Sequence, residues 1–161
     1  IIVKPVSIRI TRKNKETAAF EVVGGPITNH RLMVFDKNNG PMQNVKIRQA
    51  MTHAIDRETI VKDVVGSGVP ATQFAPPGIF GAPDPEVGLA TDIEQAQAWL
   101  AEAGYPGGQG FPALTILYNT SEGHKAIAEY VQQKWNEELG IEVEIENQEW
   151  GTYLDSRDNG E

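Results

Sequence analysis

The sequence has no cysteine, and this absence excludes disulfides, thiolate nucleophiles and sulfur metal sites together. Long apolar runs are also missing, since no stretch approaches the ~20 apolar residues that a membrane-spanning helix needs. Positive charge is scarce: 14 Lys and Arg stand against 22 Asp and Glu, which leaves a formal net charge of −8. Because such a field repels polyanions, we expect no nucleic-acid partner.

Sequence motifs for catalysis and for metal binding are lacking as well. The three histidines, His30, His53 and His124, are far apart and show no metal-ligand spacing, so neither a zinc site nor another metal or cofactor is expected. No G-x-S-x-G turn marks a serine nucleophile. Residues 66–71 fit the letters G-x-G-x-x-A but follow a helix and contain Pro70, which favours a helix end over a dinucleotide site.

The clearest local pattern is a pair of short helices after residue 44. Ile47, Met51 and Ala54 are apolar at helical spacing, and Asp56 interrupts them as a predicted N-cap. The second helix is predicted over residues 57–65, with Gly66 as its stop. A third helix is predicted to begin at a Thr91 cap and to end at Gly104.

A strand, a helix and a strand follow in the last third of the chain. Residues 114–119 alternate as a strand, and the longest helix is predicted from Ser121 to Leu139 with Gly140 after it. Ile141, Val143 and Ile145 then alternate with glutamates. This order predicts a parallel βαβ unit with a right-handed crossover, and so an α/β fold.

The first forty residues carry weaker patterns. We expect a strand near residues 6–10, a short helix over residues 15–23 and an extended stretch over residues 31–35. Residues 68–88 contain five prolines, so regular structure is not expected to persist there. Long loops are often functional, which makes this one, with Phe74 in it, a candidate ligand wall.

The most specific site hypothesis concerns Asn119 to His124, where the strand ends and the helix begins. Backbone N–H groups at a helix N-terminus favour anions, and His124 in the first turn would lie near a ligand carboxylate. The alternative is a solvated surface histidine. Trp150 follows the next strand, where a ligand can stack, although core packing is the commoner role of a lone tryptophan. Arg157 offers a bidentate contact to a carboxylate, or serves only solvent.

Several stretches together resemble the bacterial extracellular solute-binding proteins of the peptide, nickel and oligosaccharide import group, especially its oligopeptide-binding members. Each stretch alone is weak, but their order and spacing are specific. They run from residue 44 to residue 157: NVKIRQA, AIDRE, PPG, LAEAGYP, LYNTSEGHK, LGI, NQEW and YLDSR.

This resemblance implies a two-lobed clamp of the periplasmic-binding-protein-like type II fold, with a βαβ unit and a mixed sheet flanked by helices. It divides the chain into an approach segment, 1–34, and a C-terminal lobe, 35–161. The stretch from Gly24 to Leu32 is shorter than in the family, and the sequence stops before the family's return to the larger lobe. We therefore expect a fragment.

The implied function is oligopeptide binding for an ABC import system, without catalysis. The partners would be a peptide ligand and the permease subunits, in the periplasm or at the bacterial cell surface, with membrane contact only through a lipid anchor or the permease. In oligopeptide-binding members the positions matching His124 and Arg157 are associated with the peptide's C-terminal end. The expected ligand-binding residues are therefore His124, Arg157, Trp150, Phe74 and Asn119.

Other functions stay open at this point. Val69 stands where some members carry a lysine, which weakens the case for recognition of a short peptide's carboxylate. Separately, the ligand of this family fold could instead be a dipeptide, a nickel complex or an oligosaccharide. A peptide-processing enzyme would need a base and a nucleophile together, and Glu149 with His124 is the least implausible pair. Self-association through an exposed face of the lobe is a third possibility.

Overall fold

The computed structural model describes residues 2–5, 8–12, 20–24, 28–31, 33, 35, 40–72, 81, 84, 88 and 90–159, with the backbone alone described for 2–31. These residues form two compact units. The first unit contains Ile1–Met33 and Ser67–Gly88, and the second contains Val34–Gly66 and Leu89–Glu161. The proposed division into an approach segment, 1–34, and a lobe, 35–161, stays a prediction.

Antiparallel strands make up the described part of the first unit. Strand β1 lies between β4 and β5 in one sheet, and β2 pairs with β3 in a second. The strands are β1 (Ile2–Pro5), β2 (Ile8–Arg12), β3 (Phe20–Gly24), β4 (Thr28–Arg31) and β5 (Val69–Pro70). Pro70 is tolerated in β5 because this strand lies at the sheet edge, where a missing N–H donor costs least.

Several N-terminal predictions need correction. The helix predicted over residues 15–23 is wrong for its last four residues, because they lie in β3, which pairs with β2 along five residues. Phe20, Val22 and Val23 are strand-favouring residues, and cross-strand pairing outweighs the helix preference of the preceding alanines. The loop predicted over residues 68–88 contains β5, and of the extended stretch predicted over 31–35 only Arg31 lies in a described strand.

The second unit is built from helices and one parallel strand pair. Its helices are α1 (Val45–His53), α2 (Arg57–Thr59), α3 (Ile93–Glu102), α4 (Glu122–Leu139) and α5 (Trp150–Asn159). Its strands are β6 (Leu114–Asn119) and β7 (Val143–Gln148). Short 3-10 turns cover Gly40–Gln43 and Pro106–Gly108.

The predicted helix pair is present with its caps. Asn44 accepts a hydrogen bond from the Lys46 N–H at the start of α1, and Asp56 accepts from the N–H groups of Glu58 and Thr59 at the start of α2. Beyond Thr59 the helix widens into a π-helical segment, Ile60–Val64.

One cap differs from its prediction. Asp92 caps α3 by accepting from the Gln95 N–H at 2.9 Å, and the Thr91 hydroxyl instead donates to the Ile55 carbonyl at 2.8 Å. The Asp92 N–H also donates to the His53 carbonyl at 2.9 Å. These two bonds connect the start of α3 to the end of α1. Local sequence patterns do not predict them, because the bonded residues are far apart in the sequence.

The core of the second unit lies where α1, α3 and α4 pack together, and it includes the apolar residues predicted for α1. Its buried apolar residues are Met42, Ile47, Ala50, Met51, Ala54, Ile60, Ala96, Leu100, Ala128, Val131, Trp135, Leu139, Ile141 and Val143. Trp135, only 2% exposed, is the largest of them, and its indole N–H donates to the Met51 carbonyl at 2.9 Å. That bond satisfies the one polar atom that burying a tryptophan brings into a core.

The parallel βαβ unit is confirmed. Strands β6 and β7 pair in parallel from Leu114 opposite Val143 to Asn119 opposite Gln148, and α4 connects them. Gly140 ends α4 with φ of +67°. A Cβ on Gly140 would lie 2.4 Å from the Gly107 carbonyl oxygen, so glycine is also needed there for close backbone approach.

The predicted α/β class is confirmed by this architecture. The described strands form three separate sheets, two antiparallel and one parallel. Within the described ranges, no helix combines the length and the apolar character that a membrane span requires.

Candidate functional site

Two helices begin at one end of the β6–β7 pair. Because parallel strands run in the same direction, Asn119 and Gln148, the last residues of β6 and β7, lie side by side. Helix α4 starts three residues after Asn119, and α5 starts two residues after Gln148. We call residues 119–124 and 147–151 the carboxyl edge.

Thr120 joins the two halves of the carboxyl edge. Its N–H donates to the Gln148 carbonyl at 2.8 Å, and its hydroxyl donates to the Asn147 side-chain oxygen at 3.0 Å. These bonds continue the strand pairing one residue beyond β6. The backbone between Asn119 and the start of α4 is therefore fixed to the end of β7.

Asn119 and His124 are brought together, as the sequence hypothesis requires. The Asn119 Oδ1 lies 2.8 Å from the His124 Nδ1, and the pair is partly buried. His124 is therefore not fully solvated, and its contact with a ligand stays a prediction. His124 is the third residue of α4, so the imidazole lies in the first turn of that helix.

The N-terminus of α4 lies at the carboxyl edge. Within the described part of the chain, the Ser121 side chain at the N-cap position makes no capping hydrogen bond. The first N–H groups of a helix have no partner inside the helix and carry the positive end of its dipole. Such a terminus suits an anion.

Trp150 is exposed, and the expectation that it packs in the core is wrong. Its side chain is 53% exposed and stacks on Tyr153, with ring centroids 5.9 Å apart and planes inclined by 24°. Among the described residues, the tryptophan that is buried in the core of this unit is Trp135. Trp150 and Tyr153 thus present a flat aromatic surface beside the carboxyl edge.

Arg157 lies two helical turns beyond Trp150 on α5. Residues at spacings of three, four and seven share one face of a helix, so Trp150, Tyr153 and Arg157 lie along one side. The guanidinium is 55% exposed and donates through Nε and Nη2 to Asp158 Oδ1, at 2.9 and 2.6 Å. A ligand carboxylate would have to compete with that neighbour.

Phe74 and Glu149 are the other two residues that the sequence hypotheses name. Phe74 lies outside the described residues. Glu149, the base considered for an enzyme, accepts a hydrogen bond from the Gly151 N–H at 2.7 Å and so caps α5. Glu149 therefore has a structural role, capping α5, that does not involve catalysis.

Gln148 is a candidate that the sequence analysis missed. Its Nε2 donates to Glu146 Oε1 at 3.0 Å, while its Oε1 is buried and, among described residues, has no hydrogen-bond partner. A buried acceptor without a donor is uncommon and costs free energy. The only hint in the sequence was its place at the end of a strand, just before Trp150.

Two neighbouring groups at the start of α2 have shifted pKa values with clear physical causes. The pKa of Asp56 is lowered, chiefly because its carboxylate accepts a hydrogen bond from the Thr59 hydroxyl. Burial lowers the pKa of Arg57, whose guanidinium donates to the carbonyls of Thr52 and Ile55. Among the described residues, no group of three or more His, Cys, Asp or Glu side chains is placed to hold a metal ion.

Comparison with known proteins gives consistent results. A family described as "Bacterial extracellular solute-binding proteins, family 5 Middle" matches residues 1–161. The oligopeptide-binding protein OppA of Bacillus subtilis is 36% identical over 128 residues, covering 75% of this chain and 24% of its own length. The chain thus spans about a quarter of the length of this relative.

Solved structures show the same relationship. A periplasmic oligopeptide-binding protein of Borrelia burgdorferi, OppAIV, superimposes with a TM-score of 0.73 at 40% identity, over 78% of this chain and 25% of its own. Haemophilus influenzae OppA, in complex with the peptide RPPGFSPFR, gives a TM-score of 0.66 at 36% identity, over 78% and 26%. The chain therefore belongs to the bacterial extracellular solute-binding proteins of family 5.

Proposed function

We propose that this chain is part of the substrate-binding component of an ABC importer and takes part in binding oligopeptides. The observation that carries the proposal is the carboxyl edge, where the Asn119–His124 pair, the start of α4 and the exposed Trp150 come together on one firmly paired strand end. Relatives named as oligopeptide-binding proteins support the choice of ligand class.

The groups at this edge fit the chemistry of a peptide. A terminal carboxylate suits the backbone N–H groups at the start of α4 together with His124. The Trp150–Tyr153 surface offers a flat apolar area on which side chains of different shape can lie. Such contacts depend little on the identity of the side chain, which favours broad peptide specificity.

Arg157 and Phe74 enter the proposal with less direct support. Arg157 is on the α5 side that carries Trp150, and it would contact the ligand once its guanidinium turns from Asp158. Because that ion pair is exposed, breaking it costs little. Phe74 is included because it lies in the proline-rich stretch 68–88, which the sequence marks as a candidate ligand wall.

The partners and the location follow from the proposed role. The protein would deliver its peptide to the permease subunits of the importer, in the periplasm or at the cell surface, and would touch the membrane only through them or a lipid anchor. We propose no catalytic step, because the relatives are named as binding proteins and Glu149 is engaged in capping α5.

The test is calorimetric titration of a mixture of tri- to pentapeptides into the protein expressed from the complete open reading frame that contains this sequence. We expect saturable heat, and a clear loss of affinity in His124→Ala. Lys125→Ala is the matched control, since Lys125 is the next residue of α4, is exposed and pairs only at 3.8 Å with Glu129. Absence of heat with every peptide, in a folded protein, would overturn the proposal.

A further inference from the structure

We propose that Asn119 is a positioning residue that fixes the tautomer of His124, so that the ligand-binding imidazole keeps its proton on Nδ1 and exchanges protons only at Nε2. This inference rests on the proposed function for its consequence but not for its geometry. The geometric basis is the 2.8 Å contact between Asn119 Oδ1 and His124 Nδ1.

The chemistry of the contact allows one proton arrangement. The side-chain oxygen of asparagine only accepts hydrogen bonds, so the nitrogen that faces it must carry the proton. A neutral imidazole has a single N–H, and the other nitrogen then holds the lone pair. In the protonated ring both nitrogens are donors, and the bond to Asn119 persists unchanged. Gaining or losing a proton therefore alters only Nε2.

Both partners of this contact are held on regular structure. Asn119 ends β6 opposite Gln148, and Thr120 next to it is bonded to β7 through both its N–H and its hydroxyl. His124 belongs to the first turn of the 18-residue helix α4. Since neither backbone can shift freely, the acceptor is presented to Nδ1 in a fixed place, which is what orientation of a binding group requires.

The use of Asn119 is itself informative. Asn119 lies two residues before Ser121, the N-cap position of α4, so its side chain is not placed to cap that helix. Here Asn119 turns its oxygen to the His124 ring, and among the described contacts the Ser121 side chain at the N-cap position provides no cap either. The side-chain oxygen of Asn119 is thus used to hold the imidazole.

Two-dimensional NMR of the imidazole nitrogens tests the tautomer directly. Spectra of the ¹⁵N-labelled complete protein are recorded well above the usual histidine titration range, and His124 is assigned by the signal that His124→Ala removes. We expect protonated Nδ1 in the wild type and in Asn119→Asp, which keeps the acceptor. Asn119→Leu should shift the ring towards the Nε2-protonated form, whereas Asn147→Leu, at the same edge, should not.

The outcomes separate the proposal from its alternatives. An Nε2-protonated His124 in the wild type or in Asn119→Asp would overturn it, whether or not Asn119→Leu folds. So would an unchanged tautomer in a folded Asn119→Leu. Backbone amide spectra of each variant show whether the fold is kept, so a purely structural role would appear as general shifts rather than a tautomer change.

A binding measurement then links the tautomer to ligand recognition. With trialanine as the probe, well above the usual histidine titration range, we expect Asn119→Leu in the complete protein to raise affinity about five- to tenfold, because its neutral ring can place the proton on Nε2 and donate to the terminal carboxylate. The Nδ1-protonated ring of the wild type and of Asn119→Asp presents a lone pair there, so neither should show this gain, and trialanine amide should show none in any variant. An equal change for trialanine and its amide would refute the link. If the wild type binds neither, the proposed function fails while the tautomer result stands by itself.

Discussion

The packed side of the second unit and the carboxyl edge of its sheet are held by different kinds of contact. On the packed side, Trp135 is buried and its one polar atom is bonded to Met51. At the carboxyl edge, Trp150 is exposed and His124 is hydrogen-bonded to the side chain of Asn119. The packed side contributes mainly apolar burial, whereas the carboxyl edge carries polar and aromatic side chains near the surface.

Replacing each of the two tryptophans tests this contrast most directly. Trp135→Ala should lower the free energy of unfolding by about 3–5 kcal/mol, because it empties the centre of the core and removes a buried hydrogen bond. Trp150→Ala should cost less than about 1 kcal/mol, since the side chain is half exposed. Chemical denaturation of both variants measures the contrast. Equal losses would mean that Trp150 is a structural residue.

Disturbing the close backbone approach at Gly140 should cause the next largest loss of stability. Gly140→Ala should cost about 3 kcal/mol, because the added Cβ meets the Gly107 carbonyl in addition to a strained left-handed backbone. Gly66→Ala is the matched control: its φ of +69° is nearly the same, but a Cβ there meets nothing within 4 Å. The control should cost about 1 kcal/mol. Thermal unfolding curves that coincide would contradict the close approach.

Asp56 allows a smaller, pH-dependent test of the packed side. Asp56→Ala should lower stability by about 1 kcal/mol at neutral pH through loss of the α2 cap. The folded-state pKa of Asp56 lies below its ordinary value of 3.8, so the carboxylate's contribution is complete above that value and is lost as pH falls through the folded-state pKa. Urea titrations at several pH values should show wild type and variant converging in acid. A constant difference would refute the ionic part of the cap.

Replacing Asp158, on the helix that begins at the carboxyl edge, should have the smallest effect, a change in peptide affinity. Asp158→Asn should raise peptide affinity about twofold, because the Arg157 guanidinium loses its competing partner. Asp155→Asn removes the same charge from the same exposed helix without touching that ion pair and should leave affinity unchanged. Equal gains in the two variants would indicate a general charge effect, and calorimetric titration distinguishes them.

Sequence alone predicted the parts of the fold that local patterns specify. The α1–α2 pair, the long helix α4 and the parallel strands β6 and β7 were all marked by apolar spacing with a cap or a glycine at the ends. Helix α5, which begins at the same edge, is not marked by such a pattern. Asn119 and His124 are both candidates from sequence because the strand ends and the long helix begins between them.

The remaining features depend on contacts between distant residues. Thr91 looked like a cap, yet its hydroxyl reaches Ile55 and leaves the capping to Asp92. Strand β3 forms because β2 pairs with it, and no periodicity within residues 15–23 reveals that partner. Trp150 was expected in the core because tryptophan usually lies there, whereas its neighbour Tyr153 and the exposed side of α5 decide its place.

The placement of the tryptophans has an optical consequence. Trp135 is sealed in the core, Trp99 packs edge-on against His53 at 5.0 Å, and Trp150 is open to solvent beside the proposed peptide site. A water-borne quencher will therefore reach Trp150 far more readily than Trp135. The chain carries its own fluorescent reporter of whatever covers the carboxyl edge, and the buried indole serves as the internal reference against which that emission is read.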